Sequence, residues 1–148
     1  MFNCNQLSHK SWDVDGEVEK VLWDHFNPFN FLVATEKGML HMIDARKDKE
    51  CLWSVAAHTE GINGISLSSQ VPGMLVTGST NKQMKVWDVS KPQPVCVFEK
   101  EVNVGLVHSL EGCPDAPFVF AFGGDNPSHN MHVMDVRESS EGMYFLMQ

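Results

Sequence analysis

The residue types able to do chemistry in this 148-residue chain are few, and their spacing decides how each is read. His129-Asn130-Met131-His132 has an H-x-x-H spacing that would set two imidazoles on one helix face. Here it runs from a turn into an apolar strand, with no third ligand and no general-base glutamate beside it. Ser66, Ser68 and Ser69 with His58 and Asp88 hold the residue types of a hydrolase triad, but no Gly-x-Ser-x-Gly elbow accompanies them. Gly123-Gly124-Asp125 is too short for a phosphate loop and reads as a turn, and Ser68-Ser69-Gln70 reads as an exposed loop with a Ser-Gln dipeptide that a kinase could use. Cys4, Cys51, Cys96 and Cys113 are scattered without a Cys-x-x-Cys pair, which suits buried reduced thiols better than a disulfide framework or a zinc site. These patterns assign no catalytic residue, no metal ligand and no cofactor, so the expectation is a protein that is not an enzyme.

One histidine has a structural use instead. The stretch from Ala57 to Ser90 opens on Ala57-His58, passes through the apolar runs Gly61–Leu67 and Met74–Ser79, and closes on Met84-Lys85-Val86-Trp87-Asp88. A histidine after a small residue, short strands, a polar turn and a terminal Trp-Asp resemble the signature of a WD-repeat propeller blade. The resemblance implies a buried hydrogen-bond chain through a His, a Ser or Thr, an Asp and the Trp indole. By position these are His58, Thr77, Asn81 and Trp87. Asn81 departs from the pattern, because an amide accepts a hydrogen bond without carrying charge, and the charge-assisted bond to the histidine is lost.

The elements that must position this tetrad recur along the chain. Val18–Trp23, Phe31–Thr35, Met39–Asp44 and Cys51–Val55 read as four strands, with Glu36-Lys37-Gly38 as a hairpin turn. A third copy reads as Val104–Leu110, Phe118–Phe122 and Met131–Asp135. The closing aspartates Asp44, Asp88 and Asp135 stand 44 and 47 residues apart, a period that suits a four-stranded blade of about 40 to 45 residues. No segment sustains apolar residues at i, i+3, i+4 and i+7 over a helix's length. The expected fold is therefore all-β, a WD-repeat β-propeller fragment of about three four-stranded antiparallel blades in an open, unclosed arc. Its expected divisions are a polar segment at 1–15 with Trp12 on an outer strand of a preceding blade, then blades at 16–57, 58–100 and 101–148.

A propeller usually needs about 4 to 8 blades, because each blade buries its faces against two neighbours. Three blades should leave apolar faces uncovered, so closure calls for the remaining blades or another chain. The same pattern also suits a truncated product without independent function. The net charge of −8 argues against broad electrostatic binding to nucleic acid. The N-terminus lacks the basic and apolar regions of a secretory signal and no apolar run reaches membrane-spanning length, which leads to the expectation of an intracellular protein without a membrane partner.

Several runs carry a closer resemblance. Gly16-Glu17-Val18-Glu19, Trp23-Asp24-His25-Phe26-Asn27-Pro28, Asp44-Ala45-Arg46, Leu67-Ser68-Ser69-Gln70, Cys113-Pro114-Asp115-Ala116-Pro117-Phe118 and Ala121-Phe122-Gly123-Gly124 resemble the C-terminal blades of the periodic tryptophan protein 1 family. The resemblance implies a non-enzymatic interaction scaffold in the nucleus and nucleolus, serving ribosome biogenesis and ribosomal RNA transcription, with pre-ribosomal or chromatin components as protein partners. A histone-tail reader is the alternative, with Trp23 and Trp53 as the aromatic residues of a cage.

Overall fold

The computed structural model describes residues 9–138. Short runs of β-branched and aromatic residues, punctuated by Gly, Pro and Asn turns, form eleven antiparallel strands among these residues. The first sheet holds β1 (Val18–Trp23), β2 (Asn30–Thr35), β3 (Met39–Asp44) and β4 (Cys51–Ala56). The second holds β5 (Ile62–Leu67), β6 (Met74–Ser79), β7 (Gln83–Asp88) and β8 (Val95–Glu101). The third holds β9 (Val107–Gly112), β10 (Val119–Gly124) and β11 (Met131–Asp135). Within each sheet the strands pair in chain order, as meanders whose sheets do not close on one another. The fourth strand expected in the third blade lies outside the described residues.

Period-2 alternation sends side chains to both faces of each sheet, and stacking buries the facing sets. Leu32, Ala34, Leu40, Met42 and Trp53 of the first sheet meet Ile62, Ile65, Leu75 and Trp87 of the second in one apolar cluster. Met74, Val76, Met84 and Val86 on the other side of the second sheet meet Val107, Leu110, Phe120 and Phe122 of the third. Two glycines permit this close approach. A Cβ on Gly64 would stand 2.5 Å from Leu110 Cβ, and one on Gly78 would stand 2.6 Å from Val107 Cγ1. Serines add polar ties: Ser66 Oγ accepts the Gly112 N–H at 2.9 Å, and Ser68 Oγ donates to the Pro117 carbonyl at 2.7 Å.

The two outward faces of the stack differ. On the first sheet Trp12 sits edge-on against Phe31 at 5.3 Å, its Nε1–H donating to the Lys47 carbonyl, while Trp23 packs against the same ring. Val33 and Ile43 are buried there. On the third sheet Ala121, Met131 and Val133 lie uncovered, Met131 being 80% and Val133 66% exposed.

Three expectations about local structure change. Residues 9–15 form no strand, and Trp12 reaches its place as part of an irregular segment anchored through its indole. The first strand of the third sheet begins at Val107, three positions later than the apolar run suggests. Gly105 takes a left-handed φ of +80°, the Val104 N–H bonds the Val102 carbonyl, and Asp125 Oδ1 accepts the Leu106 N–H, so residues 102–106 form a tight turn. Gly123 and Gly124 end strand β10 rather than forming a free turn, and the absent Cβ of Gly124 admits the carbonyls of Val104 and Leu106.

Candidate functional site

His58 follows β4 and is fixed at its backbone: its N–H and that of Ala57 both bond the carbonyl of Gly38, at 3.1 and 2.9 Å. Gly38, with φ +80°, ends the β2–β3 hairpin, so the first sheet's own turn positions the imidazole beside the second sheet. Thr77 lies in the middle of β6 and Trp87 near the end of the adjacent β7, which places both side chains on the face toward His58. His58 Nε2 stands 2.7 Å from Thr77 Oγ1, and Trp87 Nε1–H donates to the same oxygen at 3.0 Å. All three residues are buried.

One protonation pattern, the Nδ1 tautomer, lets the hydroxyl accept from the indole and donate to the imidazole at once. Thr77 Oγ1 accepts from the indole and has one O–H to give, and His58 Nε2 is the acceptor at hand. The neutral imidazole then carries its proton on Nδ1. That atom is buried and has no hydrogen-bond partner among the described residues. Asn81, the fourth tetrad position, lies close enough to the imidazole to raise its pKa and also serves its own turn. Its Oδ1 accepts the Gln83 N–H at 3.0 Å and its Nδ2 donates to Thr59 Oγ1 at 3.2 Å. The structure thus links His58, Thr77 and Trp87 in one chain at ordinary hydrogen-bond distance, with the Asn81 amide against the imidazole and also closing its own turn.

Burial drives the His58 pKa down to about 4, the Lys85 cation pushes it the same way, and the Asn81 amide and the Glu99 carboxylate oppose them. Lys85 and Glu99 are register partners on β7 and β8 and form an ion pair at 3.3 Å. With Ala57, Thr59, Asn81 and Gln83 they wall an open cavity of about 620 Å³ against His58. Neither Lys85 nor Glu99 stands out in the sequence. The signal was present in the parity of β7, where Gln83, Lys85 and Trp87 fall on one side of the strand.

The other chemistry-bearing residues are not drawn together. His132 lies on β11 and His129 in the loop before it, and among the described residues no group of three or more His, Cys, Asp or Glu could hold a metal ion. Ser66 and Ser68 tie the second sheet to the third, while Asp88 accepts from the Ser90 N–H and hydroxyl, so these residues are occupied separately. Ser68 is fully buried, its Oγ also accepting the Val71 N–H, so the exposed-loop reading of Ser68-Ser69-Gln70 fails at its first residue, while Ser69 is half-buried and Gln70 exposed in the loop after β5.

The cysteines correct another expectation. Cys96 is exposed on the outer strand β8, and Cys51 and Cys113 are half-buried, so these free thiols sit at sheet edges rather than in the core. Cys4 lies outside the described residues. Cys51 Sγ lies 3.9 Å from His41 Nδ1, which is shared with Ser54 Oγ at 2.6 Å. Trp23 stands on the outward face of the first sheet and Trp53 in the core on the opposite face, so the two do not converge into a cage.

A repeated device closes the first and third sheets. Asp44 and Asp135 each accept the backbone N–H two residues on and pair with Arg46 and Arg137, whose guanidinium groups lie over Phe29 at 4.1 Å and Phe118 at 5.0 Å. Asp88 makes the same turn with Ser90. Three sheets therefore share one construction at the same register.

The sequence has counterparts among known proteins. The chain is 39% identical over 132 residues to the periodic tryptophan protein 1 homolog of Drosophila melanogaster, covering 86% of this chain and 29% of that protein. This is a WD-repeat chain of the periodic tryptophan protein 1 type. It is also 30% identical over 125 residues to an uncharacterised WD repeat-containing protein of Schizosaccharomyces pombe, and 26% identical over 108 residues to the histone acetyltransferase type B subunit 2 of Candida albicans. These alignments cover 84% and 73% of the WD-repeat chain. The chain spans about a quarter of the length of these relatives, between 24% and 29%. No protein-family model matches it. Among the described residues no helix is long and apolar enough to cross a membrane.

Proposed function

We propose that this chain is a protein-interaction scaffold, the WD-repeat part of a nucleolar ribosome-biogenesis factor acting in ribosomal RNA transcription. The observation that carries the reading is the 39% identity to the periodic tryptophan protein 1 homolog over 86% of the chain. Physical features agree with it. A stack of sheets gives a rigid frame, loops at the sheet ends give adaptable contacts, and function on such frames resides in the surface rather than in the fold. The blades are taken as 16–57, 58–100 and 101–148, and His58, Thr77, Asn81 and Trp87 serve as the clamp that holds the middle one. Partners are pre-ribosomal or chromatin-associated proteins, met in the nucleus, with nucleic acid engaged only through them, as the net charge of −8 favours.

Affinity capture from nuclear extract tests this reading. The expected result is enrichment of nucleolar or pre-ribosomal components over a control with a scrambled surface. Absence of any such enrichment overturns it. The similarity to a histone acetyltransferase subunit favours chromatin proteins as a second class of partner. Histone-peptide titration decides that reading, since saturable binding supports it and no binding at high micromolar concentration removes it.

A further inference from the structure

We propose that two copies of this chain associate head to tail, the open face of the third sheet in one copy receiving the inner strand β1 of the other. The ladders place all three sheets in one register. Ala34 opposes Leu40, Gly78 opposes Met84, and Gly123 opposes Met131. In the first two sheets this face packs on the next sheet: Ala34, Leu40 and Met42 enter one apolar cluster, Met84 and Val86 the other. In the third sheet the same positions are Gly123, Met131 and Val133, and the last two are 80% and 66% exposed. The opposite face follows the same rule. Ile62 and Ile65 of β5 belong to the cluster with the first sheet, and Val107 and Leu110 of β9 to the cluster with the second. Their register counterparts on β1 are Val18 and Val21, 45% and 59% exposed. One chain thus carries, at the two ends of its stack, both halves of an interface that it makes twice inside itself.

A glycine points to the same occupant. Gly78 is bare because β9 presses on it, and a Cβ there would stand 2.6 Å from Val107 Cγ1. Gly123 holds the same register place, yet a Cβ on it would meet nothing nearer than Ser109 Cβ at 3.5 Å, so no contact among the described residues requires glycine there. A glycine inside a strand weakens it and marks where another backbone approaches closely. Val18 of a second copy, the counterpart of Val107, fits that place. The outer part of the first sheet's face is already furnished for such a contact. Trp12 lies against Phe31, as Trp53 of β4 lies in the cluster with Leu75, the register counterpart of Phe31. The segment around Trp12 therefore stands where a preceding sheet would place its outer strand, and it leaves β1 open. A head-to-tail contact is heterologous and ends only where the rotation closes. Two copies of three sheets make six, within the about 4 to 8 over which propellers close. The nucleolar reading neither requires nor forbids this contact, so failure of either leaves the other intact.

Sedimentation velocity of the 148-residue chain from low to high micromolar concentration tests this. The expected result is a monomer that converts to a dimer and goes no further. Gly123→Val decides the register, because it adds apolar surface and strand propensity, which would increase non-specific association, yet removes the space for Val18 and leaves a monomer. Val18→Glu, at an exposed position, gives a monomer from the other side of the contact. Mixing the two variants restores dimers at several-fold higher concentration, through the one contact in which Gly123 and Val18 are both native. Circular dichroism melting checks that each variant folds as the parent does, and Met131→Lys and Val21→Lys, exposed positions on the same two faces, repeat the pair independently. A parent that stays monomeric at high micromolar concentration overturns the proposal, as does growth beyond the dimer. So does a Val18→Glu or Gly123→Val variant that dimerises as strongly as the parent, the former result pointing to third sheets paired face to face.

Discussion

Substituting Asn81 by aspartate should stabilise this protein. His58 Nδ1–H is buried with no acceptor in ordinary hydrogen-bond geometry among the described residues, only the uncharged Asn81 amide beside it, and a buried unpaired donor costs up to about 1 to 3 kcal/mol, whereas a hydrogen bond to a charged group contributes about 1.5 to 3 kcal/mol. Against this, the Asn81 Nδ2 bond to Thr59 is lost, an exposed neutral bond worth about 0.5 to 1 kcal/mol, and the carboxylate must give up water. The Gln83 N–H keeps an acceptor, because aspartate presents an oxygen in the same place. The balance is about 1.5 kcal/mol in favour of the substitution, or a rise in Tm of roughly 4 °C for a chain of this size. The pH dependence supplies a second readout. In the parent, His58 titrates near 4 in the folded state against an ordinary value of 6.5, so the unfolded chain binds more protons between those limits. Stability is therefore complete above about pH 6.5 and falls as pH drops toward 4, by up to about 3 kcal/mol. The carboxylate introduced by Asn81→Asp favours the imidazolium, raises the His58 pKa and flattens that slope. Urea denaturation at pH 7 and pH 5, with NMR titration of His58, measures both effects. An unchanged or lowered midpoint together with an unmoved His58 pKa would refute the reasoning.

Other substitutions test the packing around this site. Trp87→Ala should cost about 3 to 5 kcal/mol and Trp87→Phe only about 1 to 2, since lost packing outweighs the lost indole bond; thermal denaturation separates the two. Gly64→Ala drives a methyl against Leu110 Cβ across the second and third sheets and should lower stability by about 2 to 3 kcal/mol in the same assay. Ser66→Ala leaves the Gly112 N–H without its acceptor and should cost about 1 to 2 kcal/mol, read by urea midpoints. Lys82 adopts a φ of +71° in the β6–β7 turn, so Lys82→Gly should stabilise the chain by about 0.5 to 1 kcal/mol in a calorimetric scan.

The fold was legible because three copies of one pattern reinforce each other. Apolar runs such as Met74–Ser79 and Met39–Asp44, set between turn residues at a regular spacing, specify strands without any tertiary information. Where the reading slipped, a long-range contact intervened. Val104 is apolar like its strand neighbours, but Gly105 and the Asp125 carboxylate, distant in sequence, fold that segment into a turn. Trp12 carries the Trp-Asp dipeptide yet is positioned by the Lys47 carbonyl and the Phe31 ring. The polar wall of the His58 cavity was hidden for a similar reason. Lys85 and Glu99 look like ordinary solvated strand positions until β7 and β8 pair them at the mouth of a buried imidazole. The double use of the Asn81 side chain was also invisible, since a turn residue can serve the histidine, its own backbone or both and only the folded turn decides.

Each of these effects depends on three sheets folding together as one stacked body, with the His58 chain inside its middle sheet. Hydrogen exchange of backbone amides on the isolated 148-residue chain tests this most directly. The prediction is slow, mutually similar exchange at Leu32, Leu75 and Phe120, one from each sheet, through a single cooperative opening. Protection confined to the second sheet, or rapid exchange at Phe120 while Leu75 stays protected, would contradict it.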